Sequence, residues 1–249
     1  MMSTFKSLGL AGIIFVLPLF ASVVLPESSI ASSLSAAENK EPKYKNVKTR
    51  KRASVGKTCA KALQRVTREE GPIDSALWSE ARSMLNDIER LPNVCISDNE
   101  QSALWNLLGY VNYSMNDVPE ASSYYRKVVE GVGTLPEIKL YTRSFLAKLY
   151  VIQEQYGLAV EQFEIWMDAA VVIGAEQRLM MAQLYYLFGR ENEALEMTNL
   201  GIAEAEAKGI KLVDDFWKLQ LSIYFQKKNY QKVKSLLEKL SKNNPDWVY

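Results

Sequence analysis

Histidine is absent from this chain of 249 residues. That removes Ser–His and Cys–His nucleophilic pairs, imidazole general-base work and most zinc sites. Cysteine is scarce as well: Cys59 and Cys95 lie 36 positions apart and cannot form a C-x-x-C redox motif. No phosphate-binding loop is complete. Val55-Gly56-Lys57-Thr58 ends like one, but Lys51 stands where the first glycine belongs, so the segment reads as the start of a helix. The carboxylate pairs Glu69-Glu70 and Asp214-Asp215 are adjacent, and neighbours on a helix diverge by about 100°. They read as solvated faces or helix caps. Neither an enzyme nor a bound cofactor or metal is expected.

Long apolar runs are confined to the start. Residues 1–31 read as a signal peptide: Lys6 supplies the positive start, Leu8 to Leu25 an apolar stretch broken by Pro18, and Ser29-Ile30-Ala31 a small-residue exit site. Ser35-Ala36-Ala37 is a second exit. No cysteine follows to carry a lipid. The alternative is an uncleaved membrane anchor, since about 18 apolar residues reach the lower limit for a span. In an oxidising compartment an even pair of cysteines is either a disulfide, adding roughly 4 kcal/mol by loop-closure entropy, or two buried free thiols.

Charge is low overall but unevenly placed. Residues 32–53, rich in Ser, Lys and Asn, read as a basic flexible linker. From Glu38 to Arg68 eleven Lys/Arg face only Glu38 and Glu41, whereas Glu69 to Tyr249 carries 18 basic against 26 acidic residues. A basic leader on an acidic body suggests docking of the leader on anionic lipid or on an acidic protein face. A solvated tail is the alternative. Nucleic acid is not expected as a partner of an exported chain.

What is abundant is repetition. Gly109-Asn112-Ala121, Ala147-Tyr150-Ala159, Ala182-Tyr185-Ala194 and Leu221-Tyr224-Val233 share one internal spacing, with offsets between copies of 38, 35 and 39 residues. Small residues at fixed steps let paired helices approach closely, while aromatics fill the gaps between pairs. The pattern predicts an all-α chain of stacked helix pairs, an α-solenoid over 54–249, with a degenerate first repeat at 54–98 and clearer copies over 99–249. Gly71-Pro72 should end the first helix and Asp74 cap the second, whose apolar positions are Leu77, Ala81, Leu85 and Ile88. Asn116-Asp117 should turn the chain with Asp117 as cap, Gly189-Arg190 should do so in the third copy, and Gly131, Gly133 and Pro136 should close the first clear unit. In the fourth copy, Trp217, Leu221 and Tyr224 should face Val233, Leu237 and Leu240. Trp247-Val248-Tyr249 would open another helix, so either the chain continues or Tyr249 packs on a partner.

The spacing of Trp105, Leu108, Gly109, Ala121 and Tyr125, with a closing proline, resembles the tetratricopeptide repeat. A narrower likeness rests on the exported leader, Thr49-Arg50-Lys51-Arg52, the connection from Ala203 to Gly209 and the ending from Pro245 to Tyr249. These are similar to bacterial periplasmic tetratricopeptide proteins associated with the TonB system. That resemblance implies a periplasmic, non-enzymatic scaffold accessory to TonB, ExbB and ExbD. The alternative is an envelope-assembly or secretion factor that holds a peptidoglycan-related or client protein.

The repeat also implies a ligand groove lined by first-helix positions. Carried over, these are Asn106, Tyr110 and Tyr113, then Ser144, Lys148 and Val151, then Leu179, Gln183 and Tyr186, and finally Lys218, Ser222 and Phe225. Tyr113, Val151, Tyr186 and Phe225 would form an apolar ladder suited to an extended peptide or a docked helix. The alternative is that these rings pack against the next repeat. Only Lys148 and Lys218 could serve the ring of Lys and Asn that clamps a terminal carboxylate in some relatives.

Overall fold

A computed structural model describes residues 44, 45, 47, 55–67 and 77–243. Ten helices follow one another among these residues. They are α1 (Lys57–Thr67), α2 (Trp78–Arg90), α3 (Asp98–Ser114), α4 (Val118–Glu130), α5 (Pro136–Ile152), α6 (Tyr156–Ala169), α7 (Ala175–Leu187), α8 (Glu191–Lys208), α9 (Asp215–Gln226) and α10 (Tyr230–Asn243). Successive helices pack in pairs, α3 on α4, α5 on α6, α7 on α8 and α9 on α10, after a looser α1–α2 unit. The second helix of each pair then meets the first helix of the next. The expected all-α stack of helix pairs is the fold the chain adopts.

The repeat is visible in the backbone itself. Asn116, Glu154, Gly189 and Lys228 all take the left-handed conformation, at φ 61°, 58°, 82° and 55°. Across each of these turns one amide donates five positions back: Asp117 to Asn112, Gln155 to Tyr150, Arg190 to Tyr185 and Asn229 to Tyr224, at 2.7–2.9 Å. Such bonds satisfy carbonyls that a helix end leaves open. Glu154 and Lys228 hold there a conformation that glycine adopts without strain. Glu154→Gly and Lys228→Gly should each raise stability in urea unfolding by about 0.5–1 kcal/mol, and Gly189→Ala should lower it by about 1–2 kcal/mol. Equal midpoints for all three would remove strain as a factor at these turns.

The small residues do the nesting expected of them. Ala121, Ala147, Ala159, Ala182 and Ala194 are fully buried, and a Cβ on Gly109 would come within 3.0 Å of the Tyr125 ring. The Phe145 ring stands edge-on to both Tyr113 and Tyr125 at 5.1 Å, joining the pair α3–α4 to α5.

The fourth copy differs from its expected register. Leu221, Tyr224 and Val233 are half-buried and Leu237 is exposed, whereas Phe216, Leu219, Gln220 and Ile223 are buried. Leucine against valine cannot nest as closely as alanine against alanine. The pair is instead anchored on α8, where Phe216 enters the notch left by Gly201: a Cβ there would stand 2.3 Å from the ring. Gln220 Nε2 adds donations to Thr198 Oγ1 at 3.1 Å and Asn199 Oδ1 at 2.7 Å.

Other boundaries move slightly. Leu77 stands at the N-cap of α2 rather than within it, and Pro136 opens α5 rather than closing the preceding unit. Asp117 caps α4 as expected, its carboxylate accepting from the Glu120 amide. A full capping box forms one helix earlier, where Ser97 and Glu100 answer each other at the start of α3. The segment read as a signal peptide (1–31), nearly all of that read as a linker (32–53), Gly71 to Asp74 and Pro245 to Tyr249 lie outside the described residues.

At the first unit, Cys59 of α1 is bonded to Cys95, with Cα atoms 4.8 Å apart and both side chains buried. This settles the two readings of the pair in favour of the bridge. Glu100 reinforces it: its carboxylate accepts from the amides of Gly56, Ile96 and Ser97 at 2.7–2.9 Å. Its pKa is held below the usual carboxylate value, chiefly by the bond from Ser97, with Gly56 and Ile96 adding to it. Val55-Gly56-Lys57-Thr58 thus begins a helix, as read from its missing glycine.

Candidate binding face on the first helices

Asn106, Tyr110 and Tyr113 follow one another by four and three residues on α3 and so share one stripe; all three are half-buried. Tyr110 leans edge-on against Trp78 of α2 at 5.5 Å, and Tyr113 against Phe145 of α5. Each tyrosine therefore has one neighbouring pair behind it and one flank open. Burial pushes the Tyr113 hydroxyl up from its ordinary pKa, so it remains a neutral donor at physiological pH.

On α5, Ser144 and Lys148 are half-buried and Val151 is buried. The Ser144 hydroxyl donates to the Tyr141 carbonyl one turn back. On α7, Leu179 and Gln183 are buried, whereas Tyr186 is half-buried, its pKa raised first by burial and then by the Glu191 charge. The ladder imagined as continuous is thus interrupted at its middle. The cause is packing: α5 lies against both α4 and α6, and α7 against α6, α8 and α9. On α9, Lys218 pairs with Asp215 at 3.2 Å, the Ser222 hydroxyl donates to the Lys218 carbonyl, and Phe225 is 64% exposed beside Tyr230. Phe225 is not taken into the core.

Gln183 is the unusual member. Its side chain is 7% exposed and its Nε2 has no hydrogen-bond partner, the one such buried side-chain atom among the described residues. A buried donor left unpaired costs about 1–3 kcal/mol. It sits one turn before Tyr186 on the stripe carried over from the repeat, beneath the surface rather than on it.

Around this face, charged clusters lock one helix to the next. Tyr185 donates to Glu164 at 2.9 Å, and Arg190 reaches the same carboxylate at 2.7 Å while stacking over the Tyr185 ring. Burial, then the bond to Glu164, leaves Tyr185 with a pKa pushed up to about 12. Tyr124 donates in the same way to Glu89, which also receives Lys127. Asp215, one of the two adjacent carboxylates at the start of α9, is spent on Lys218. No group of three or more potential metal ligands exists among the described residues.

One cluster was not foreseen. Tyr44, in the basic leader, bridges to Ala170 at the end of α6 and lies beside Trp166, Tyr141 and Glu137. The only sequence signal was a lone tyrosine within a run of lysines.

No protein-family model matches the chain, and no curated protein matches it either. Its architecture has counterparts among solved structures. Nearly identical TPR-like repeats of a kinesin light chain from Podosopora anserina align with a TM-score of 0.51 and 18% identity, over 75% of this chain and 96% of that one. MamA from Desulfovibrio magneticus RS-1, residue 41 to its end, aligns with a TM-score of 0.53 and 13% identity, over 79% of this chain and all of the other. At such identities the likeness speaks for the fold, and the fold is an α-solenoid of tetratricopeptide-like helix pairs.

Proposed function

We propose that this chain is an exported, non-enzymatic scaffold that holds a segment of a protein partner along the face of its first helices. The observation that carries this reading is the stripe of partly open polar and aromatic side chains on successive first helices, Asn106, Tyr110 and Tyr113, then Ser144 and Lys148, then Tyr186. Aromatic rings with interspersed amides and hydroxyls suit an extended peptide or an amphipathic helix. Stacked repeats supply the long inner surface that such a ligand needs.

The Cys59–Cys95 bridge supports export, because structural disulfides persist in oxidising compartments. The apolar leader and the short segments similar to periplasmic TonB-associated proteins favour a periplasmic accessory of TonB, ExbB and ExbD. Tyr113→Ala combined with Tyr186→Ala should weaken partner binding at least 10-fold while far-UV circular dichroism stays unchanged. A loss of helicity instead would assign both rings to the packing between repeats. Pull-down after crosslinking in cells addresses the setting, and recovery of no envelope protein would contradict it.

A further inference from the structure

Tyr44 and Lys45 belong to the leader, yet they are built into the solenoid. The Lys45 amide donates to the Ala169 carbonyl at 2.6 Å and its ammonium to the Asp168 carbonyl at 3.4 Å. Both acceptors are among the last carbonyls of α6, which the helix cannot satisfy for itself and where its dipole favours a cation. Tyr44 pairs by backbone with Ala170 in an antiparallel bridge. Its hydroxyl is raised in pKa first by burial, with the Trp166 side chain, Tyr141 and Glu137 close enough to act on it. The position matters because Glu137, Tyr141, Ser144 and Lys148 follow at helical steps of four, three and four on α5, so they share one stripe. The leader therefore stands at the head of the stripe that carries Ser144 and Lys148.

We propose that the rim made by the start of α5 and the end of α6 is a docking site for an extended Tyr-Lys segment, filled in cis by Tyr44–Lys45 of this chain. Charge favours that occupant: the leader is strongly basic and the body acidic. Recognition is of the strand-addition type, with backbone bonds giving affinity and a ring pocket giving selectivity. Tethering raises the local concentration of the segment to about the millimolar range, so a free segment of the same chemistry competes poorly with it. The corollary, which rests on the scaffold reading above, is that a partner using the Ser144–Lys148 stripe must displace the leader.

The test needs no partner. A labelled peptide spanning 40–52 is titrated into the full chain and into its Tyr44→Ala variant, alongside a peptide that itself carries Tyr44→Ala. The expected result is binding to the variant at least 10-fold tighter than to the unaltered chain, with the altered peptide at least 10-fold weaker than the native one. Hydrogen exchange should show the Lys45 amide protected in the unaltered chain and released in the variant. Equal binding to both chains, equal binding of both peptides or an unprotected Lys45 amide would overturn the proposal. Binding by charge alone would appear as the second of these. Because the assay contains only this chain and its own segment, it can fail while partner binding stands, and succeed while partner binding fails.

Discussion

Replacing Cys59 and Cys95 together by alanine should cost about 4 kcal/mol of protection in α1, seen as roughly 10²–10³-fold faster amide exchange there. The loss should be local. Helix α1 is short, contacts mainly α2 and is joined to the rest through the bridge and the Glu100 carboxylate. In a repeat stack each unit leans only on its neighbours, so protection in α5 to α8 should change little. Glu100→Gln in the same background should accelerate exchange further, because an amide group cannot accept from three backbone donors as a carboxylate does. Unchanged exchange in α1 after reduction of the bridge would show that apolar packing alone holds the first unit.

Phe216→Ala should destabilise the last pair by about 3–5 kcal/mol, the range for deleting a buried aromatic ring. The ring is nearly fully buried and sits where Gly201 leaves no side chain on α8. Gly201→Ala offers a separate view of the same contact: helix propensity gains about 1 kcal/mol, while forcing the ring out of its notch costs about 1–3 kcal/mol. The two substitutions should not be additive. With the ring gone, the alanine at 201 has nothing to strike, so Gly201→Ala should become neutral or stabilising in the Phe216→Ala background. A cycle that sums within about 0.5 kcal/mol would mean that this contact does not anchor the end of the stack.

The architecture was legible in the sequence because the nesting positions are chemically narrow. Only Gly or Ala fits where Ala121, Ala147, Ala159, Ala182 and Ala194 lie, and a fixed step between such residues has few explanations other than repeated helix pairs. The fourth copy was read less well because Leu221 and Val233 fall at those steps without nesting, while the true anchor, Phe216, is paired with a glycine in another helix. Nothing local announces that partnership. The left-handed turns were visible where glycine or asparagine stood, at Gly189 and Asn116, and hidden at Glu154 and Lys228. Ser97-x-x-Glu100 was a readable capping box; that Glu100 would also reach Gly56 was not, since it depends on how α1 folds back.

The candidate face was legible as a stripe but not in its depth. Helical steps place Tyr110, Tyr113, Ser144, Lys148 and Tyr186 correctly on first helices, yet they do not say that Val151, Leu179 and Gln183 lie beneath neighbouring pairs. Burial at these positions is decided by three helices at once, and one helix's periodicity reports only on itself. The placement of Tyr44 and Lys45 was harder still. Charge asymmetry raised contact with an acidic protein face, but the contacts these two residues make with the end of α6 are to backbone groups, which charge does not announce.

The most direct test of the account is photocrosslinking in cells from a reactive residue placed at Lys148, on the stripe, and in parallel at Ile165, which is exposed on α6. The account predicts a discrete protein adduct from position 148, none from 165, and loss of the adduct when Tyr113→Ala and Tyr186→Ala are added. Adducts of equal yield and pattern from both positions, or from 165 alone, would contradict a ligand face on the first helices.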